Sequence, residues 1–172
     1  MNKKLNYINA FLISLMIFLS SCVSVSYSFS GASIDPECKT FSVNFFPNRA
    51  QLVNPNLSTD FTEKLKEKFR DETNLTEVVN QEGHLHFEGY IKSYVDTPQN
   101  ISANNTSESN RLTIVIKVKY TNSINDKFEF DKDFSFYKDY TGGDLSQVEA
   151  NLVEEIIEEI VNKIFQEAVA NW

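Results

Sequence analysis

Apolar and polar residues alternate along four stretches of the 172-residue chain and recur at helical spacing along two others. Phe41, Val43 and Phe45 alternate with Ser42 and Asn44, which predicts a strand over 39–46. In HLHFEGYIKSYV, residues 84–95, Leu85, Phe87, Ile91 and Val95 fall on one side, with Gly89 completing the row. His84, His86, Glu88, Tyr90, Lys92 and Tyr94 fall on the other, which reads as a wet face. RLTIVIKVKY aligns Leu112, Ile114, Ile116, Val118 and Tyr120, and KFEFDKDFSFY aligns Phe128, Phe130, Phe134 and Phe136.

The helical spacings are as clear. Phe61, Leu65 and Phe69 make one stripe, preceded by Asp60 and Glu63 at capping-box spacing, so a helix is expected from Asp60 to about Arg70 or Asp71. Ser146 and Glu149 repeat that spacing ahead of a longer helix, 147–170, whose apolar face is Val148, Leu152, Ile156, Ile160 and Ile164. Between these elements, PNRAQLVNPNL is a loop, NLTEVV re-enters the sheet region, and QNISANNTSESN is a polar loop. The order is β-α-β-β-β-α. Strands with one apolar and one polar face need cover on one side only. The expected fold class is therefore α+β, a two-layer sandwich with a four-stranded mixed sheet and both helices on one face.

Pairing of the last two strands can be read from their side chains. A turn near Ile124 sets Val118 against Phe130, Ile114 against Phe134 and Leu112 against Phe136. The same register sets Lys119 against Glu129 and Lys117 against Asp131 on the opposite face. Lys132 then lies on the apolar side opposite Ile116, and an inward lysine marks an edge strand.

The N-terminus adds a location. Lys3 and Lys4 precede an apolar run, Ala10 to Leu19, too short to cross a bilayer as a helix, which takes about 20 residues. The run stops at Leu19-Ser20-Ser21-Cys22, which resembles the lipobox of bacterial lipoproteins, whose cysteine becomes the acylated first residue. The domain reading is a lipoprotein signal peptide over 1–21, a lipidated tether over 22–37 and a single sandwich domain over 38–172. Lys3 and Lys4 are the only charged residues in the leader, so removing it leaves 14 basic and 24 acidic side chains. A net charge near −10 excludes nucleic acid and an anionic membrane surface as principal partners. Membrane attachment then falls to the lipid. With Cys22 acylated, Cys38 is the one remaining thiol. It reads as a buried inert group, with a partner-linked disulfide or a reactive site as alternatives.

Few residues carry chemistry. His84, His86 and Glu88 alternate on one strand face, but a zinc site needs a further ligand and no third histidine exists. YTGGD lacks the lysine of a phosphate loop, and no serine sits in a nucleophile elbow. No catalytic residue, metal or cofactor is assigned, and the protein is read as a non-enzyme. Glu154, Glu155, Glu158 and Glu159 form a solvated helix face or a contact for a basic partner. Arg49, a cation in a strand-end loop of an acidic protein, either solvates and caps or takes part in recognition. Lys92, Lys117 and Lys119 share the polar sheet face, partly cancelled by Glu129 and Asp131.

Five ordered segments carry a family likeness: YSFSGASI, FFPNRAQLVNPNLS, FTEKLKEKF, NRLTIVIKVKYTN and IIEEIVNKIFQEAVANW. Together they resemble the LptE-type lipopolysaccharide-assembly lipoproteins of Gram-negative bacteria, over nearly all of 22–172. The resemblance implies an outer-membrane lipoprotein facing the periplasm, pairing one-to-one with the LptD β-barrel, plugging its lumen and helping lipopolysaccharide (LPS) reach the outer leaflet. It further implies LPS contact through basic residues at one end of the domain. Arg49, Lys92, Lys117 and Lys119 are the candidates by position. Cys38 is no part of the family pattern. The alternative of another class is an adaptor or pilot lipoprotein of a different envelope complex.

Overall fold

The structure, a computed structural model, describes residues 34–52, 54–99, 109–141 and 144–169. The signal peptide, the tether up to residue 33, Cys22, most of the polar loop and the Gly142-Gly143 turn lie outside the described residues. In chain order the elements are β1 (Thr40–Val43), α1 (Leu57–Glu72), β2 (Thr76–Glu77), β3 (Leu85–Gln99), β4 (Ser109–Asn122), β5 (Phe130–Thr141) and α2 (Glu149–Val169). They form one mixed sheet of order β2-β1-β3-β4-β5, with β1 parallel to both neighbours and β3, β4 and β5 antiparallel.

The sheet has five strands where four were expected. The fifth is β2, within NLTEVV, held by Thr76 N–H to the Lys39 carbonyl and Val78 N–H to the Phe41 carbonyl, each 2.9 Å. Two residues are too few to show an alternation in sequence.

Both helices cover one face, which gives the two-layer sandwich. Phe41, Phe87, Ile91, Leu112, Ile114, Ile116 and Val118 of the sheet are wholly buried against Phe61, Leu65 and Phe69 of α1 and Ile156, Ile160 and Ile164 of α2. Phe69 lies at the junction, its ring centroid 5.6 Å from Phe41, 4.7 Å from Phe87 and 5.1 Å from Phe165. Such aromatic pairs add about 0.5–1.5 kcal/mol each beyond the area they bury.

Neither capping box forms as spaced. Helix α1 begins three residues before Asp60, at Leu57, because the Asn54 side chain accepts the N–H groups of Asn56 (3.0 Å) and Leu57 (3.1 Å). Asp60 sits inside the first turn, where an acid suits the helix dipole. Ahead of α2, Asp144 caps a short 3-10 turn, Leu145–Gln147, by accepting from Ser146 N–H. Glu149 turns inward instead, accepting from the Tyr94 hydroxyl (2.6 Å) and the Asn54 amide (2.9 Å).

That inward contact accompanies a correction to β3. The register with β4 shifts between Ile91 and Ser93, leaving Lys92 as a bulge. Beyond it the two faces exchange: Tyr94 is 5% exposed and Val95 41%, the reverse of simple alternation. The core gains a large ring with its hydroxyl satisfied, and the surface takes a smaller valine. Burial, then the neighbouring Glu149, pushes the Tyr94 hydroxyl well above the usual tyrosine range.

The β4–β5 register is also corrected, by two residues. Ile114 faces Phe136, Ile116 faces Phe134, Val118 faces Lys132, and Lys119 faces Asp131. The turn is longer than expected because the Asn122 side chain accepts from Ile124 and Asn125 N–H, and a 3-10 turn follows at Asp126–Phe128. A shift of two keeps every side chain on its face, so the core assignment holds while the partners change. Strand β5 is the sheet's edge, as the inward lysine implied. Lys132 reaches Glu167 of α2 at 2.6 Å, and Lys138 reaches Glu155 at 2.6 Å.

Candidate functional site

The face of the sheet away from the helices carries all four sequence-predicted cations at or beside it. Their placement starts with the loop after β1. Ile91 N–H donates to the Pro47 carbonyl (3.0 Å), and Arg49 N–H donates to the Ile91 carbonyl (2.9 Å). This clamp lies next to the Lys92 bulge and lays the Arg49 guanidinium over the Tyr90 ring, 4.3 Å from its centroid. A contact of that kind at an exposed site is worth about 0.5–1 kcal/mol. Tyr90 is the cross-strand partner of Lys117, and Glu88 that of Lys119. Arg49, Lys92, Lys117 and Lys119 therefore converge around Tyr90.

Three of the four are already engaged. Lys92 pairs with Asp133 at 2.5 Å, Lys117 with Asp131 at 2.8 Å, and Lys119 with Glu88 at 2.8 Å. The hydrogen bond from Lys119 holds the Glu88 carboxyl below the usual range, and its partner raises Lys119 in return. Asp133 likewise raises Lys92. Asp131 was expected to compensate Lys117 and does so diagonally, whereas Lys119 pairs with Glu88 on β3 and not with Glu129. No carboxylate lies within 4 Å of Arg49 among the described residues, so it is the uncompensated cation of the group.

A fifth cation went unnoticed in the sequence. Arg111 on β4 binds Asp139 through two hydrogen bonds, 2.6 and 2.9 Å, and stacks on Tyr137 at 3.7 Å. The pair raises Arg111 and lowers Asp139. The alternation of RLTIVIKVKY put Arg111 on the polar face, but Asp139 is 28 residues away, and only the β4–β5 register joins them.

The histidines serve the β1–β3 junction. Lys39 N–H donates to His84 Nδ1 at 3.0 Å, and His86 Nδ1 lies 2.7 Å from the Ser42 hydroxyl. His86 is buried at 5% exposure, which corrects its reading as a wet surface residue: its ring is hydrogen-bonded to Ser42 of β1, whose hydroxyl also accepts from Gly83 N–H. Among the described residues no group of three His, Cys, Asp or Glu side chains is disposed to hold a metal. Cys38 is buried, with its thiol 3.7 Å from the Asn122 side-chain oxygen, and burial followed by Asp35 raises its pKa. It is a free, buried thiol in this fold. No described helix is long and apolar enough to cross a membrane.

Three solved structures similar to this chain are lipoproteins or proteins of the same fold. A minor lipoprotein from Acinetobacter baumannii shares 13% identity over 77% of this chain and 94% of its own, with TM-score 0.52. A protein from Xanthomonas campestris shares 8% identity over 81% and 90%, with TM-score 0.54. The rare lipoprotein B of Shewanella oneidensis shares 12% over 73% and 91%, with TM-score 0.49. At these identities the first two speak for the fold alone. No curated protein sequence matches. The sequence model of the lipopolysaccharide-assembly family LptE matches residues 38–168, a span that takes in every element from β1 through all but the last residue of α2. The chain accordingly belongs to LptE, a non-enzymatic family of lipoproteins that act in lipopolysaccharide assembly at the outer membrane.

Proposed function

We propose that this chain is the lipid-anchored partner of the LptD barrel. It occupies the barrel lumen one-to-one and assists LPS on its way to the outer leaflet. The observation that carries this reading is the family match over residues 38–168, and the lipobox supports it from a separate part of the chain. Residues 1–21 are removed, Cys22 is acylated, and the domain faces the periplasm from the outer membrane. A barrel lumen is polar, so a plug needs no hydrophobic belt. The test is a mild-detergent pull-down of the tagged, lipidated protein from outer membranes, with mass spectrometry of partners and of the N-terminal peptide. A large barrel in equal amount, with acyl chains on Cys22, is the expected result. Recovery with a different envelope complex, or with none, overturns it.

Within that role Arg49 makes the direct contact with LPS phosphate. Lys92, Lys117 and Lys119 flank it, each tied to its own carboxylate. Losing a charge-assisted bond to phosphate costs about 1.5–3 kcal/mol. Arg49→Glu is accordingly expected to weaken LPS binding at least tenfold in a direct titration, with the melting temperature lowered by no more than a few degrees, because the exposed side chain gives up only its contact with Tyr90. Undiminished binding by this variant removes Arg49 from the site.

A further inference from the structure

The chain enters the described domain beside the edge of the sheet that β2 forms. Ile34 packs against the core and lines one surface cavity with Thr73, Asn74 and Leu75, the residues that lead into β2. Thr76 and Val78 turn their N–H groups inward to β1. The N–H and carbonyl of Glu77 between them therefore face outward, and no described strand lies beyond. Just past β2 stands Val79, 71% exposed, and it shares a cavity of about 380 Å³ with Phe45, 60% exposed. These two are the most exposed large apolar side chains among the described residues. Upstream of Ile34 the sequence reads VSVSYSFS, residues 23–30. Val23, Val25, Tyr27 and Phe29 alternate strictly with four serines, without a charge, which is the pattern of a strand with one apolar face.

We propose that residues 23–30 add to the outer edge of β2 as a sixth strand, antiparallel to it, with their apolar row covering Phe45 and Val79. The direction follows from where the chain enters: the segment's last residue lies nearest Leu75, at the start of β2, and its first residue beyond the end of β2. The reach suffices. Seven residues separate Ile34 from Tyr27, about 23 Å when extended, whereas Val79 lies four residues past Leu75, about 13 Å along the strand. The opposite edge is a poorer host. Strand β5 is four strand spacings away, about 19 Å, and Lys132 and Lys138 stand across its border. Strand addition of this kind takes affinity from main-chain hydrogen bonds and selectivity from pockets for alternate side chains. Glu77 offers the first, and the Phe45–Val79 cavity the second.

The pairing changes what the anchor does. Left free, residues 22–33 form a leash of about 40 Å. Paired, the segment brings Cys22 out near Phe45, four residues ahead of Arg49, and holds the domain close to its membrane in one orientation. The inference takes from the anchor proposed above only the point at which the segment begins.

The test is hydrogen exchange with mass spectrometry on the full, lipidated chain in detergent. Amides within 24–30 and that of Glu77 are expected to exchange at least tenfold more slowly than in a free peptide. Bonded N–H groups alternate along an edge, so the double variant Ser26→Pro, Tyr27→Pro removes an inward donor in either register. It is expected to return both regions to the free-peptide rate while β3 and β4 stay protected. Free-peptide rates over 24–30 in the unaltered chain overturn the inference, as does protection of Glu77 that survives the prolines. In a second measurement, a photocrosslinking phenylalanine analogue replaces Val79. An adduct of one chain's mass, joining position 79 to the 23–30 peptide, is expected. An adduct to a second copy, to the barrel or to phospholipid instead makes that the occupant and overturns the inference. Acyl chains are read on the same N-terminal peptide; their absence from Cys22 overturns the anchor and leaves the exchange rates to decide the pairing.

Discussion

Ile116→Asp is expected to abolish the folded domain, seen as loss of the cooperative thermal transition by circular dichroism. Ile116 lies at the middle of β4, wholly buried, paired with Ile91 on one side and Phe134 on the other. Losing a buried isoleucine down to a small side chain costs about 2–5 kcal/mol. Introducing a carboxylate there adds several kcal/mol more, because none of the facing side chains can pair with it. The sum rivals the about 5–15 kcal/mol that holds a typical domain together. A variant melting at the wild-type temperature would show that β4 does not present this row to the helices.

Gly89→Ala is the second large effect, and its cause is backbone contact. A Cβ on Gly89 would sit 2.0 Å from the Lys117 carbonyl oxygen and 2.7 Å from the Phe46 ring. Phe46 is wholly buried over this gap and meets Phe61 edge-on at 5.0 Å. The ring can give way; the carbonyl belongs to the neighbouring strand and cannot move without parting β3 from β4. Overpacking costs about 1–3 kcal/mol where side chains yield, so a loss of about 3 kcal/mol or more is expected in denaturant titration. The double variant Gly89→Ala, Phe46→Leu tests the cause. If the carbonyl dominates, shortening Phe46 rescues little. Full rescue would assign the clash to the ring.

Sequence patterning carried the fold far, and its failures share a physical origin. Period-two rows such as Leu112 to Tyr120 survive any even change of register, so the core face of β4 was legible even though its β5 partners were displaced by two. A bulge changes parity, and nothing in HLHFEGYIKSYV marks Lys92 as the extra residue; Tyr94 and Val95 were exchanged for that reason. Glu149 was read as a local cap because local spacing is all that a sequence displays, while its partners Tyr94 and Asn54 come from distant loops and strands. The cations of the candidate site were visible by type and face. Which of them are free was not, since Asp133 and Glu88 become partners only through tertiary pairing. His86 shows the opposite error: alternation put it on the face without helices, yet it is buried there, hydrogen-bonded to Ser42 of β1.

Strand β5 ends the sheet with 12 residues and no described neighbour on its outer side. A bare strand of that length invites a copy of itself to add on. Lys132 and Lys138 oppose this by spanning from the strand to Glu167 and Glu155, so two charged crossbars stand along the open border. Tethering by a lipid confines molecules to two dimensions and raises their collision frequency far above that of a free protein. On the proposed lipid anchor, the crossbars oppose edge-to-edge pairing of neighbouring copies through β5.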